Sequence, residues 1–179
     1  MSTSRSKTRL LVITAAIAIA AIAVIQIIRI NTPPPVYQGT IPMPVKKMTL
    51  ADSSQVWLQK ATILTTADTY PQKRELTIDG ELFIEVSDTT KPLIVRTRLL
   101  QLTVMGKAAF RVIAFSKEDG EQVEVITGHI LVDKAYESPF NEQDTLHNSQ
   151  MVMINKTIDL MEREKFDATD LTAWRAAIK

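Results

Sequence analysis

From Val45 onward the chain sets short apolar runs at fairly even intervals, and within many of them apolar and polar positions alternate. QVWL, ELTI, ELFIEV, PLIVRT, LLQLTVM, FRVIAF, QVEVIT, HILVD and MVMI follow one another, broken by Gly, Pro, Asp or Ser. A period of two belongs to a strand whose successive side chains face opposite sides of a sheet. VEVIT is typical: Val123 and Val125 share one face and Glu124 points to the other. Many short strands with regular turn signals predict a mainly β body, a sandwich, barrel or solenoid, and argue against alternating strand–helix units.

The segment LTIDGELFIEV, residues 76–86, puts Leu76, Ile78, Leu82, Ile84 and Val86 on even positions. Asp79-Gly80 between its halves is a turn or bend signal, because Gly accepts positive φ. Either way the even side chains are expected to face one core. Glu81, Phe83 and Glu85 then lie on the opposite side, which predicts a solvated face. A catalytic carboxylate pair is the alternative, but it needs environments that drive the two pKa values apart.

Residues 10–28 read LLVITAAIAIAAIAVIQII, with Thr14 and Gln26 as the polar exceptions and no charge. A run of that length suits a helix crossing a hydrocarbon core of about 30 Å. Arg5, Lys7 and Arg9 precede it, so the positive-inside tendency keeps the N-terminus cytoplasmic and sends the rest across. The expected organisation is a short cytoplasmic tail over 1–9, a transmembrane helix over 10–30 and a Pro-rich linker over 31–44. An all-β domain over 45–155 and a helical C-terminal tail over 156–179 come after it. The alternative for the apolar run is a cleavable signal peptide. Pro33, Pro34 and Pro35 favour an extended spacer. In the tail, TIDLMEREKF and TDLTAWRAAIK predict short helices, with Thr169 or Asp170 as N-cap. Ile158, Met161 and Phe166 are expected to pack onto the strands, and Trp174 to sit on a core-facing helix surface, with a membrane or partner anchor as the alternative.

The formal net charge is +1, yet the first thirty residues hold four bases and no acid. The remainder carries 17 basic against 20 acidic residues. A mildly acidic body predicts no nucleic-acid binding, which needs clustered Lys or Arg. The chain has no cysteine, which removes disulfides, thiolate catalysis and the usual zinc cages. His129 and His147, the two histidines, stand in GHIL and TLHNS without the spacing of metal ligands. No serine lies in a nucleophile elbow and no glycine cluster suits a phosphate loop. Lys46-Lys47 reads as solvated, and Asn155-Lys156-Thr157 matches a glycosylation sequon of low specificity. No catalytic, cofactor or metal residue is predicted, and the chain is expected not to be an enzyme.

Several segments in order resemble the periplasmic module of the FecR family. These are LADSSQVWL (Leu50 to Leu58, with Ser53 where the family usually has Gly), Tyr70-Pro71, GELFIEV (Gly80 to Val86) and PLIVRT (Pro92 to Thr97). VMGKAAFRV (Val104 to Val112) and VEVITGHILV (Val123 to Val132) complete the series. VMGKAAFRV has Lys107 where the family has Thr and one extra residue before Phe110. An added residue reverses the facing of every later side chain in the strand unless a bulge absorbs it.

The resemblance implies a solenoid-like or sandwich-like periplasmic domain of a single-pass inner-membrane regulator in cell-surface signalling. It also implies a protein partner in the envelope, such as the signalling domain of a TonB-dependent receptor. With only MSTSRSKTR ahead of the apolar run, the chain is expected to influence a sigma factor through a partner rather than hold one itself. Two further readings compete. One is a lipid-handling bitopic β-jellyroll of the lipopolysaccharide-export type, marked by an open apolar groove. The other is a structural scaffold.

Overall fold

The computed structural model describes residues 46–59, 61–87, 91–140, 143–169 and 171. The predicted cytoplasmic tail, membrane helix and linker lie outside them. Among the described residues no helix is long and apolar enough to cross a membrane. Every described residue belongs to one compact unit, Ile41–Lys179.

The described residues form twelve strands. They are β1 (Lys46–Thr49), β2 (Gln55–Leu58), β3 (Ile63–Thr66), β4 (Glu75–Val86), β5 (Leu93–Arg96) and β6 (Leu100–Val104). Then come β7 (Ala108–Ala114), β8 (Gly120–Thr127), β9 (Ile130–Lys134), β10 (Gln143–Leu146), β11 (Gln150–Asn155) and β12 (Leu160–Lys165). Their order is β10-β9-β6-β5-β4-β7-β8-β11-β12, with β1, β2 and β3 attached through β4. Every pairing except β4–β5 is antiparallel, as expected of a sandwich or barrel and not of a solenoid, whose coils stack in parallel. Period-two alternation occurs in all these architectures, so it could not separate them.

β4 is the hinge of the fold. Asp79-Gly80 produces a bend, not a hairpin turn: β4 runs unbroken for 12 residues. Its first half pairs with β3 and β5, its second with β2 and β7. Gly80 sits at φ 129°, and a Cβ there would lie 2.6 Å from Thr62 Cα. The Thr62 hydroxyl accepts from Glu81 N–H (3.0 Å) and donates to Glu81 C=O (2.7 Å), satisfying the backbone where the strand changes partners.

The sheet thereby curls around one core. Leu76, Ile78, Leu82, Ile84 and Val86 all enter it, as their even spacing predicts. They meet Phe110, Val112, Val123 and Val125 from one side and Leu93, Val95, Leu102 and Val132 from the other. Glu121 closes one end: both its oxygens accept from Leu99 N–H (3.1 and 3.2 Å), and the Thr97 hydroxyl donates to one of them. The barrel is nearly closed, with β10 and β12 as outer strands linked by an Arg163–Asp144 ion pair of 2.7 Å.

The β7–β8 pairing is irregular, but its extra residue is on β8 and not at the residue added before Phe110. Ala109 faces Thr127 and Phe110 faces Val125, leaving Ile126 without an opposite number. β7 itself keeps an even register against β4 from Ala108 to Ala114, so Phe110 and Val112 remain inward.

The tail departs from expectation. Leu160–Lys165, read as helical, is strand β12, paired along its length with β11. LMEREK is rich in good helix formers, but the open edge of β11 offers a full ladder of backbone partners, and charged side chains suit an outermost strand. Asn155 Oδ1 accepts from Thr157 N–H (2.9 Å), so the sequon residue organises the β11–β12 turn. Met161 and Phe166 pack as expected, whereas Ile158 is 66% exposed. Thr169 and Leu171 are helical, and the Asp167 carboxylate takes both Thr169 N–H and Oγ1–H. Asp170, the other expected N-cap, lies outside the described residues. Trp174 lies outside the described residues.

Asp159 ties the β11–β12 turn to the segment after β9. It accepts from Tyr136 Oη (2.6 Å), Ser138 Oγ (2.6 Å) and Lys134 Nζ (3.1 Å). These donors, Ser138 foremost, hold its pKa at about 2, below its ordinary 3.8. A depressed folded-state pKa contributes stability above pH 4 that is lost as pH falls toward 2. Glu121 and Glu124 are shifted upward, chiefly by burial, and have the opposite sign: taking up their protons does not weaken the fold. Melting temperature should therefore hold through mild acid and fall between about pH 4 and 2. Asp159→Asn should flatten that fall; an unchanged profile in the variant would remove Asp159 from the acid response.

Candidate interaction surfaces

The sequence segments converge on two buried polar assemblies, neither of which leaves a free reactive group. The first is the corner formed by the LADSS turn and Arg74. Asp52 Oδ1 accepts from Ser54 N–H (3.0 Å), and Oδ2 accepts from Ser54 Oγ (3.0 Å). Arg74 brings Nε (3.0 Å) and Nη2 (2.7 Å) to the same Oδ2, and its Nη1 donates to Lys91 C=O. The paired side chains are 2% and 0% exposed. Burial alone would raise Asp52, but the Tyr70 hydroxyl, Arg74 and Ser54 more than offset it and hold the carboxyl below its ordinary range. Tyr70 is pushed upward by burial and by the interaction of its hydroxyl with the Asp52 carboxylate. Ser53 has φ 68°, the left-handed region where glycine fits without steric cost. A shallow open concavity of about 550 Å³ lies beside this corner, lined in part by Pro71, Gln72, Ser87 and Lys91.

The second assembly covers the outer face of β4, β7 and β8 and corrects the expectation of a solvated face. Glu81 is 9% exposed and Phe83 2%. Arg111 donates Nε (2.9 Å) and Nη2 (2.5 Å) to Glu81 Oε1 and reaches Glu124 at 3.4 Å. Glu124 titrates above its ordinary value because it is desolvated, an effect only partly offset by Arg111. Next to this trio, Trp57, Phe83, Ala109 and Ile126 form a small second core with Leu171, flanked by Phe166 and Ala168. The Trp57 and Phe83 rings lie 5.5 Å apart. The segment after β12 thus covers Phe83 and Arg111 covers Glu81, contacts between distant parts of the chain that strand alternation cannot reveal. Lys47 of the doublet stacks over Trp57 at 4.9 Å.

The histidines are brought together although 18 residues separate them. His129 precedes β9 and His147 comes just after β10, and their Nδ1 atoms are 2.7 Å apart. Their rings meet edge to face with centroids 4.8 Å apart. Among the described residues no three of His, Cys, Asp and Glu gather in a way that could hold a metal ion.

Residues 44–131 match the family described as FecR protein. Those residues form a FecR-family domain. Two crystal structures of a candidate anti-sigma factor from Parabacteroides distasonis share its fold, each at 30% sequence identity and a TM-score of 0.63. The match covers 73% of this chain and 59% of theirs, so the chain spans less than two thirds of that relative. No curated protein matches the sequence. In this FecR domain the signature segments serve the fold: LADSS and Arg74 make the buried corner, and GELFIEV supplies both the inner core and the outer ion pair. What remains open to a partner is the perimeter of the sheet. The strand β12 is exposed along most of its length, and Ile63 on β3 is 63% exposed.

Proposed function

We propose that this FecR domain is a non-catalytic protein-binding module of transmembrane signalling, held at the inner membrane by a single N-terminal span with its β domain in the periplasm. Its partner is another envelope protein, of the kind represented by the signalling domain of a TonB-dependent receptor, and its influence on a sigma factor passes through a further subunit. The reading rests on FecR membership, on the anti-sigma-type relative and on the apolar run behind Arg5, Lys7 and Arg9. The contact surface we infer is an outer strand, because an unpaired strand edge offers backbone donors and acceptors in a row to an incoming strand. β12 suits this best, with Met161, Glu162, Arg163 and Glu164 along a single outermost ladder.

The test is photo-crosslinking in intact cells with the full chain, placing the crosslinker at Glu162 or Glu164. The expected product is an adduct with a receptor signalling domain, lost when proline replaces Arg163. An adduct formed equally well from Thr77, exposed on β4 away from this edge, would refute β12 as the surface. The absence of any envelope adduct would refute the binding role. A reporter enzyme active only in the periplasm, fused after Lys179, should be active; an inactive fusion with the protein present would overturn the topology.

A further inference from the structure

We propose that the rim formed by the ends of β6, β9 and β10 is a copper-ion site, with the imidazoles of His129 and His147 as ligands and the Met105 thioether as a soft third donor. Ile130 of β9 stands opposite both Val104 of β6 and Leu146 of β10. All three are fully buried. One residue further along, each strand turns its side chain to the opposite face. Continuing the same register brings Met105, His129 and His147 into one cross-strand row at the rim, where all three are exposed. Met105 is 61% exposed, so its thioether is accessible to an ion from solvent.

The backbone of this rim is pinned. Gly128 N–H donates to Asn148 Oδ1 (2.9 Å), and His147 N–H donates to Gln150 Oε1 (2.8 Å). The two Nδ1 atoms then face each other at 2.7 Å, a separation that demands a proton on one and a lone pair on the other. An ion bound at about 2.0–2.1 Å from each nitrogen would set them roughly 2.9 Å apart in a square arrangement and roughly 3.3 Å apart in a tetrahedral one. The pair needs to open only by a few tenths of an ångström, which rotation of two solvent-accessible side chains provides. The rings meet edge to face with interplanar angle 78°, so a small rotation of either ring opens a position that both nitrogens can reach.

The donor set selects the ion. Two neutral imidazoles favour late first-row metals, with Cu2+ the tightest of the divalent series, and a thioether adds preference for Cu+. The absence of a carboxylate from the row argues against Ca2+ and Mg2+, which require oxygen donors.

The chain is well suited to a decisive measurement because it contains two histidines and no cysteine. The full chain, purified in detergent with any affinity tag removed, is titrated with Cu2+ and followed by calorimetry and electron paramagnetic resonance. One equivalent should bind, with a signal from two imidazole nitrogens and a rise in melting temperature. His129→Asn and His147→Asn should each weaken binding by about tenfold or more, and the double variant should lose the imidazole signal. Met105→Leu should keep the Cu2+ signal but weaken Cu+, measured against a chromophoric chelator, by about tenfold. Because none of the three side chains belongs to the core, the variants should melt at the wild-type temperature without copper, which separates loss of a ligand from loss of the fold. Equal copper affinity in wild type and double variant, or a signal from one imidazole alone, would overturn the site. Unchanged Cu+ affinity in Met105→Leu would overturn the thioether as a donor.

Discussion

Replacing Arg74 by alanine should lower the stability of the β domain by about 3–5 kcal/mol, because it strands a buried carboxylate. Asp52 has no exposed side-chain surface and accepts two hydrogen bonds from the Arg74 guanidinium. Without that cation its charge is compensated only by Ser54 and the nearby Tyr70 hydroxyl. Arg74 also donates to Lys91 C=O, so the substitution loosens the approach to β5 as well. For a domain of this size the loss corresponds to a melting temperature lower by on the order of 10 °C. Removing both partners, Asp52→Ala with Arg74→Ala, should cost less than the two single changes added together, since neither charge is then left alone. Denaturant unfolding measures this directly. A loss below about 1 kcal/mol in the single variant would mean that the pair behaves as a solvated surface bridge.

Phe110→Ala should cost a similar amount, about 3–5 kcal/mol, for a different reason. Phe110 is fully buried in the inner core, and its strand neighbours Ile84 and Val125 are buried with it. The strand ladders on both sides of β7 hold the backbone in place, so the walls of the new cavity cannot close. Phe110→Leu, which keeps much of the volume, should cost under about 1.5 kcal/mol. The contrast between the two variants distinguishes cavity formation from general disturbance of β7. If alanine and leucine were equally damaging, shape at this position would matter more than filled space.

These effects belong to parts of the molecule that differed in how visible they were beforehand. The inner core was open to inspection because alternation is a local property: even positions from Leu76 to Val86 face one side of a strand whatever that strand pairs with. Gly80 was visible as a point of backbone freedom for the same reason, although only the pairing partners on its two sides make it a bend within one strand. The outer face was not visible. Glu81 and Phe83 look like a wet surface until Arg111 from β7 and the segment through Leu171 arrive over them. LMEREK likewise has the composition of a helix, and becomes β12 because β11 presents an unpaired edge.

Amino-acid order alone determined the β character, the facing of the strands, the FecR likeness and the lack of thiol chemistry, because each depends on residue type and near-neighbour spacing. Only the tertiary structure decided which faces are covered, which strands lie outermost and that His129 meets His147. Those outcomes depend on contacts between residues tens of positions apart, and a sheet brings such residues together through its strand order, which local periodicity does not encode.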